Sequence, residues 1–378
     1  MDEAPNDIIY GVYDNRELPW YVRANDFFVD RLGVPLKEKA YFFELLSVMI
    51  DAGIPMLSAL NILLEKTQSE RFKRIIRTMV YNIEHGDSLS SAISRFPAVF
   101  GDTELGMLKS GELTGSLHLV LSKISDDINK TLELNLKIRQ AFTYPATIIA
   151  TLIIAFVVIV TVVIPPLKSL FESVGAEVPG SLALLISVSG FIGANWWWLL
   201  VLLLLGVYLL LAYVKTDQGK YWKDNLMLKI PVFGPLLQKM ILVKFARGLA
   251  TLLESGLPLV KTIKTVGLSV GNEVYRAALD QALIKIQEGK KISEALDEAG
   301  GLFSKDLTQI IAVGEQTATI STSSVKVSNQ YEREIDHSLK NMTSVIEPVA
   351  IVLVGVAVGW FAFLVMGSIF SISDSLGA

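Results

Sequence analysis

Two short runs hold the residues best placed to act on something: Ser110-Gly111-Glu112-Leu113-Thr114-Gly115 and Val313-Gly314-Glu315-Gln316-Thr317-Ala318. A carboxylate in such a break can cap backbone N–H groups at a helix start, pair with a base in its own bundle, or contact a partner. A second polar set, Arg71, Lys73, Arg74 and Arg77, makes a basic helix face. It reads either as solvated surface or as a seat for anionic lipid or an acidic partner.

The familiar signatures of catalysis are missing. A phosphate-binding loop would read G-x-x-x-x-G-K-[ST] between a strand and a helix, and Gly289-Lys290-Lys291 is only a polar helix end. The three histidines, His85, His118 and His337, are scattered without metal-ligand spacing, and His85 beside Gly86 suits a helix C-terminus. No G-x-S-x-G elbow occurs, and the chain has no cysteine. No cofactor, no metal and no enzymatic activity are expected. Net charge is −4, without the basic excess that nucleic-acid binding requires.

The elements that must position the two Gly-Glu runs are helices. From Lys37 onward, helical stretches are punctuated at Gly53-Ile54-Pro55, Gly86, Pro97 and Gly111–Gly115, giving about six helices in some 100 residues and no strand-like alternation. The last of them runs without a loop signal into Ala146–Ile164, nineteen residues with no charge, enough to cross about 30 Å of hydrocarbon. Pro145 and Pro348 stand at such entries, either as boundary markers or as flexible points. Mean hydropathy is +0.47 and charged residues are 19%, as expected of a polytopic membrane protein.

A shift of 203 residues superimposes one half of the chain on the other. It pairs Phe42 with Phe245, Gly53 with Gly256, Pro55 with Pro258, Gly86 with Gly289, Glu112 with Glu315 and Pro145 with Pro348. The copies differ where Glu44 meets Arg247 and Gly115 meets Ala318. The expected fold is therefore all-α: two homologous cytoplasmic helical bundles of about six helices each, and three transmembrane helices.

The corresponding division is an N-terminal arm, 1–36; a first helical domain, 37–140; a first span, 141–166; and an extracytoplasmic loop, 167–181. Then come an interfacial piece plus second span, 182–214; a second helical domain, 215–343; a third span, 344–373; and an extracytoplasmic tail, 374–378. The distribution of Lys and Arg, with one lysine between 165 and 181 and none after Ser373, puts both domains in the cytoplasm. Gly355 and Gly359 form a G-x-x-x-G in the third span, for packing against neighbouring spans or a second subunit. The uncharged runs at Ala146–Ile164, 182–214 and Pro348–Ser373 carry no Asp, Glu, Lys, Arg or His, which argues against a carrier or pump; a three-span transport component with cytoplasmic regulatory domains is the alternative reading.

Four motifs carry a resemblance over about residues 37–373: AGIPM at 52–56 with SGLPL at 255–259; SGELTGSL at 110–117; TYP at 143–145 followed by an apolar run to VIP; and IPVFGPL at 230–236 leading into FARGLATLLESGLPL. Together they resemble the inner-membrane platform family of type IV pilus assembly and type II secretion, the PilC/GspF proteins. The resemblance implies a non-enzymatic, oligomeric platform in the plasma membrane. It also implies engagement by a hexameric cytoplasmic assembly ATPase, by pilins or pseudopilins, and by other inner-membrane assembly proteins. Glu112, Glu315, Arg71, Arg74 and Arg77 are then the candidates for partner contact or coupling.

Overall fold

The computed structural model describes residues 33–166, 169, 173, 180–231 and 233–377, and every regular element among them is helical. The expectations for the N-terminal arm up to residue 32 and for most of the 167–179 loop lie outside these residues. The first copy of the repeat supplies α1 (Leu36–Asp51), α2 (Met56–Lys66), α3 (Glu70–Glu84), α4 (Leu89–Ser94), α5 (Asp102–Thr114) and α6 (Leu117–Val158). A π-helical turn, Ile159–Val163, follows, and then α7 (Gly180–Val214) and α8 (Asp217–Lys229). The second copy supplies α9 (Phe233–Glu254), α10 (Leu259–Ser269), α11 (Glu273–Gln287), α12 (Ile292–Asp297), α13 (Lys305–Gln316) and α14 (Ile320–Gly377). Each of α10 to α14 begins 203 residues after its counterpart among α2 to α6.

Local chemistry explains the shared starts. Pro55 and Pro258 occupy the N-caps of α2 and α10, where a missing N–H costs nothing. Ser69, Ser88 and Ser304 accept hydrogen bonds from the N–H groups of Phe72, Ser91 and Leu307, and Asn272 accepts from Val274 and Tyr275. The cores repeat as well. Phe42 meets Phe72 edge-on at 5.3 Å between centroids; in the second copy Phe245 meets Phe303 at 5.2 Å and Tyr275 meets Phe303 at 5.5 Å. Tyr275 is a buried phenol that donates to the Leu302 carbonyl at 2.8 Å, which satisfies its hydroxyl.

One core position differs in kind. In the first copy Lys39, 6% exposed, pairs with Glu104 at 2.7 Å and donates to the Val99 carbonyl at 2.6 Å. Burial pushes the Glu104 carboxyl above its usual range, against the pull of Lys39. The equivalent residues of the second copy are Leu242 and Leu307, both fully buried. A buried ion pair and a well-packed apolar pair can serve one site at similar cost, whereas removing a single ion leaves the other uncompensated.

Contacts divide the chain into two units. The first comprises the residues up to Leu136 with Met227–Ile335; the second comprises Lys137–Leu226 with the chain from Asp336 on. The helical bundles of both copies thus share one unit. Within it, α5 of the first copy lies on α9 and α10 of the second. Gly106 seats the Leu252 and Leu257 side chains, Thr103 donates to the Ser269 hydroxyl at 3.0 Å, and Ser110 donates to the Ser255 carbonyl. The packing runs one way: α13 makes no comparable contact with α1 or α2.

The turn before each long helix requires a left-handed residue. Gly115 has φ 68°, and its counterpart Ala318 has φ 55°. An alanine pays for that conformation and glycine does not. Ala318→Gly should therefore raise stability by about 0.5–1 kcal/mol, net of glycine's greater freedom when unfolded. A thermal midpoint unchanged or lowered in this variant would refute the account of the turn.

In the second unit, α6 ends in the π turn, which packs on α7. Among the described residues one helix, Leu117–Pro166, is by itself long and apolar enough to cross a membrane; the end of α7 passes the same test jointly with α8, across a 103° bend. The 182–214 stretch, expected as an interfacial piece plus a span, is continuous helix, because nothing in it breaks the backbone ladder. Its leucines at 202–205 and 209–211 are all exposed.

Candidate functional site

The break expected at Gly111–Gly115 lies later than the sequence suggests. Gly111 and Glu112 sit inside α5, Gly314 and Glu315 inside α13, and the chain turns only at Gly115 and Ala318. The glutamates therefore cap no part of the long helices that follow. Glu112 accepts from the Ser90 N–H at 2.9 Å and from the Ser90 hydroxyl. Glu315 accepts from the Ile292 N–H at 2.8 Å, the Ser293 N–H at 3.4 Å and the Ser293 hydroxyl at 2.7 Å. Each carboxylate holds the open N-terminus of a six-residue helix, α4 or α12, which is too short to be stable alone.

The adjoining glycine serves the other neighbour. A Cβ at Gly111 would lie 2.8 Å from Val120 Cγ2 on α6, and one at Gly314 would lie 2.6 Å from the Ser323 hydroxyl oxygen on α14. The Gly-Glu pair thus joins three successive elements: glutamate reaches back to the short helix, and glycine lets the long helix approach.

A second polar centre lies where both long helices leave the bundles. Arg247 of α9, with a side chain 11% exposed, reaches Glu332 of α14 at 2.6 Å and Asp127 of α6 at 3.4 Å, and donates to the Thr131 hydroxyl at 3.3 Å. Ser328 donates to the same Glu332 carboxylate at 3.1 Å. Burial holds the Asp127 carboxyl above its usual range, although Arg247 and Lys130 pull the other way. Beside this clamp, Glu254 of α9 pairs with Lys123 of α6 at 2.9 Å and accepts from Ser321 of α14 at 2.9 Å. Burial raises the Glu254 carboxyl, but the hydrogen bonds from Lys123 and Ser321 outweigh it and leave the group below its usual range. Both bridges use α9 as the strut between α6 and α14. Arginine suits this place because its planar fork holds several oxygens at once. The arrangement fixes α6 and α14 against α9.

A family model for the type II secretion system (T2SS), protein F, matches residues 42–165 and again residues 245–367, with starts 203 residues apart. The type IV pilus assembly protein PilC of Thermus thermophilus is 33% identical over 330 residues, covering 86% of this chain and 80% of its own. PilC of Myxococcus xanthus is 28% identical over 344 residues, covering 91% and 82%. The type II secretion system protein F of Aeromonas hydrophila is 24% identical over 343 residues, covering 91% and 87%. The chain belongs to the type II secretion system protein F family.

The two matches of the protein F family model open on Phe42 and Phe245, the paired core phenylalanines. The remaining candidate residues fall in several places. Arg74 is buried, at 9% exposure, so the basic face of α3 is not continuous; Arg71 and Arg77 are half-buried, and all three arginines have partners. Lys73 pairs with Glu70 at 2.9 Å. The face turns inward because α3 buries Phe72, Ile75, Ile76 and Met79 on the adjoining positions. Pro145 and Pro348 sit inside uninterrupted helices, α6 and α14. Among the described residues, a Cβ added at Gly355 or Gly359 would meet nothing within 4 Å. Arg247, the residue that holds the two long helices to α9, is not among the candidates for partner contact or coupling. Its signal was the mismatch with Glu44, a basic residue at an acidic position in an otherwise faithful repeat.

Proposed function

We propose that this chain is a non-enzymatic platform in the inner membrane that serves a type IV pilus or a type II secretion system. The observation that carries the reading is the Arg247 clamp: a single strut in the helical unit ties together the two helices that continue into apolar segments. Past the clamp, Lys137 of α6 again pairs with Asp336 of α14 at 2.9 Å. A hexameric cytoplasmic assembly ATPase would bind the helical unit. Movement imposed there would pass along α6 and α14 to pilins or pseudopilins held in the bilayer. Three spans, 141–166, a stretch near 196–214, and 344–373, would keep both bundles in the cytoplasm. Gly355 and Gly359 suit contact with a neighbouring span or a second copy, since no described atom lies within 4 Å of a Cβ built at either.

Because the chain has no cysteine, single cysteines report topology cleanly. Ser169→Cys should react with an impermeant thiol reagent added to intact spheroplasts, whereas Ser88→Cys and Ser293→Cys should react only after lysis. Labelling of Ser293→Cys from outside would overturn the three-span arrangement. The purified chain should retain a cognate assembly ATPase in a pull-down and hydrolyse no ATP alone. Solute uptake by vesicles containing only this protein would instead support a transport component.

A further inference from the structure

The corner between α7 and α8 is built, not incidental. The Thr216 hydroxyl donates to the Tyr213 carbonyl at 2.7 Å and accepts from the Gly219 N–H at 3.1 Å. A Cβ at residue 219 would lie 1.9 Å from the same Tyr213 carbonyl oxygen, so only glycine lets the chain fold back this tightly. The Tyr213 ring then meets Trp222 edge-on at 6.2 Å. The outcome is a 103° bend that sends α8 off nearly perpendicular to the end of α7.

The composition of α8 matches that direction. Gly219 and Asp224 face inward, while Gln218, Tyr221, Trp222 and Leu226 lie on one exposed side at helical spacing, with Trp222 50% exposed. Lys229 stands on this side and Lys215 just before the helix, both exposed, whereas Lys220 and Lys223 lie toward the inward side, where they pair with Asp217 at 3.6 Å and with the buried Asp224 at 3.2 Å. Exposed Tyr221, Trp222 and Leu226 are unfavourable in water and suited to a headgroup layer, and four lysines against two aspartates over 215–229 leave the segment net positive for meeting phosphates. The leucines of α7 at 202–205 and 209–211 are exposed as well.

We propose that α8 is an interfacial helix that lies along the membrane surface and binds anionic lipid headgroups, fixing the depth and rotation of α7. The proposal rests on the reading of α7 as a span. A helix perpendicular to a span lies in the membrane plane, and the lysines favour an anionic leaflet over a neutral one.

The test uses the full chain in vesicles, with a polarity-sensitive fluorophore on a single cysteine and lipids spin-labelled either near the headgroup or deep in the acyl chain. The label at Trp222→Cys, or at Gln218→Cys, which keeps both aromatic residues, should be quenched several-fold more by shallow spin labels. The label at Leu204→Cys should be quenched more by deep ones. Shallow quenching at 218 and 222 should rise when phosphatidylglycerol is added to phosphatidylcholine, and should fall in Lys215→Glu/Lys229→Glu. Deep quenching at 204 with none at 218 or 222 would overturn the interfacial helix and leave the span standing. No quenching at 204 would remove the span and this proposal with it. Quenching at 218 and 222 indifferent to phosphatidylglycerol and to the lysine reversals would overturn the binding of anionic headgroups.

Discussion

Arg247→Met should lower the stability of the helical unit by about 3 kcal/mol at neutral pH, near the lower end of the cost of breaking a buried ion pair. The discount reflects Asp127 and Glu332, whose side chains are 36% and 31% exposed and partly screened by solvent. The loss should appear as a drop of about 6–12 °C in the thermal midpoint. It arises because two carboxylates on different helices face one another once the cation between them is gone. The Asp127 carboxyl, already held above its usual range by burial, should then rise further, since the Arg247 charge that pulls it down is gone. The folded state would bind the extra protons, so the deficit should be greatest at neutral pH and shrink as pH falls toward about 4. Adding Glu332→Leu should recover much of the loss, because it removes the repulsion as well as the pair. A deficit independent of pH and unrelieved by Glu332→Leu would show that Arg247 acts by packing alone.

The double variant Glu112→Ala/Glu315→Ala is expected to cost about 4 kcal/mol, twice the roughly 2 kcal/mol of either change alone. Each glutamate satisfies backbone N–H groups whose helices have few other means of closing their first turn. Ser90 and Ser293 are 4% and 6% exposed, so water would not readily replace the carboxylate. The two caps belong to different bundles, which is why the losses should add. Midpoint and denaturant slope should be read together, since an unchanged slope marks lost stability and not a changed unfolded state. Normal stability in both single variants combined with weakened ATPase retention would reverse the assignment and make the glutamates contact residues.

Much of this architecture was legible because punctuation is local. Pro55, Ser69, Ser88 and Gly86 decide where helices begin and end through groups a few residues away, and the structure keeps those boundaries. The capping partner of Glu112 was not legible, because Ser90 lies 22 residues upstream and no local rule favours it over the nearer helix start. The inward turn of Arg74 was hidden for a related reason. A basic residue on a strongly amphipathic helix reads as surface until neighbouring helices close over it. Arg247 could be noticed only through the repeat, and its two acidic partners come from elements 120 and 85 residues away.

The one-way contact between the copies bears on how far this assembly can grow. Units that dock head to tail leave one mating face vacant at each end, and such contacts can in principle continue into a filament. Here both vacant ends are altered. Gln309 stands where Gly106 seats Leu252 and Leu257, filling the socket that a third unit would need. At the opposite end Glu44 replaces the arginine that would clamp the next pair of long helices. The chain is thus a two-member array with a stop at each end. Copies of it that associate would then meet through some other surface.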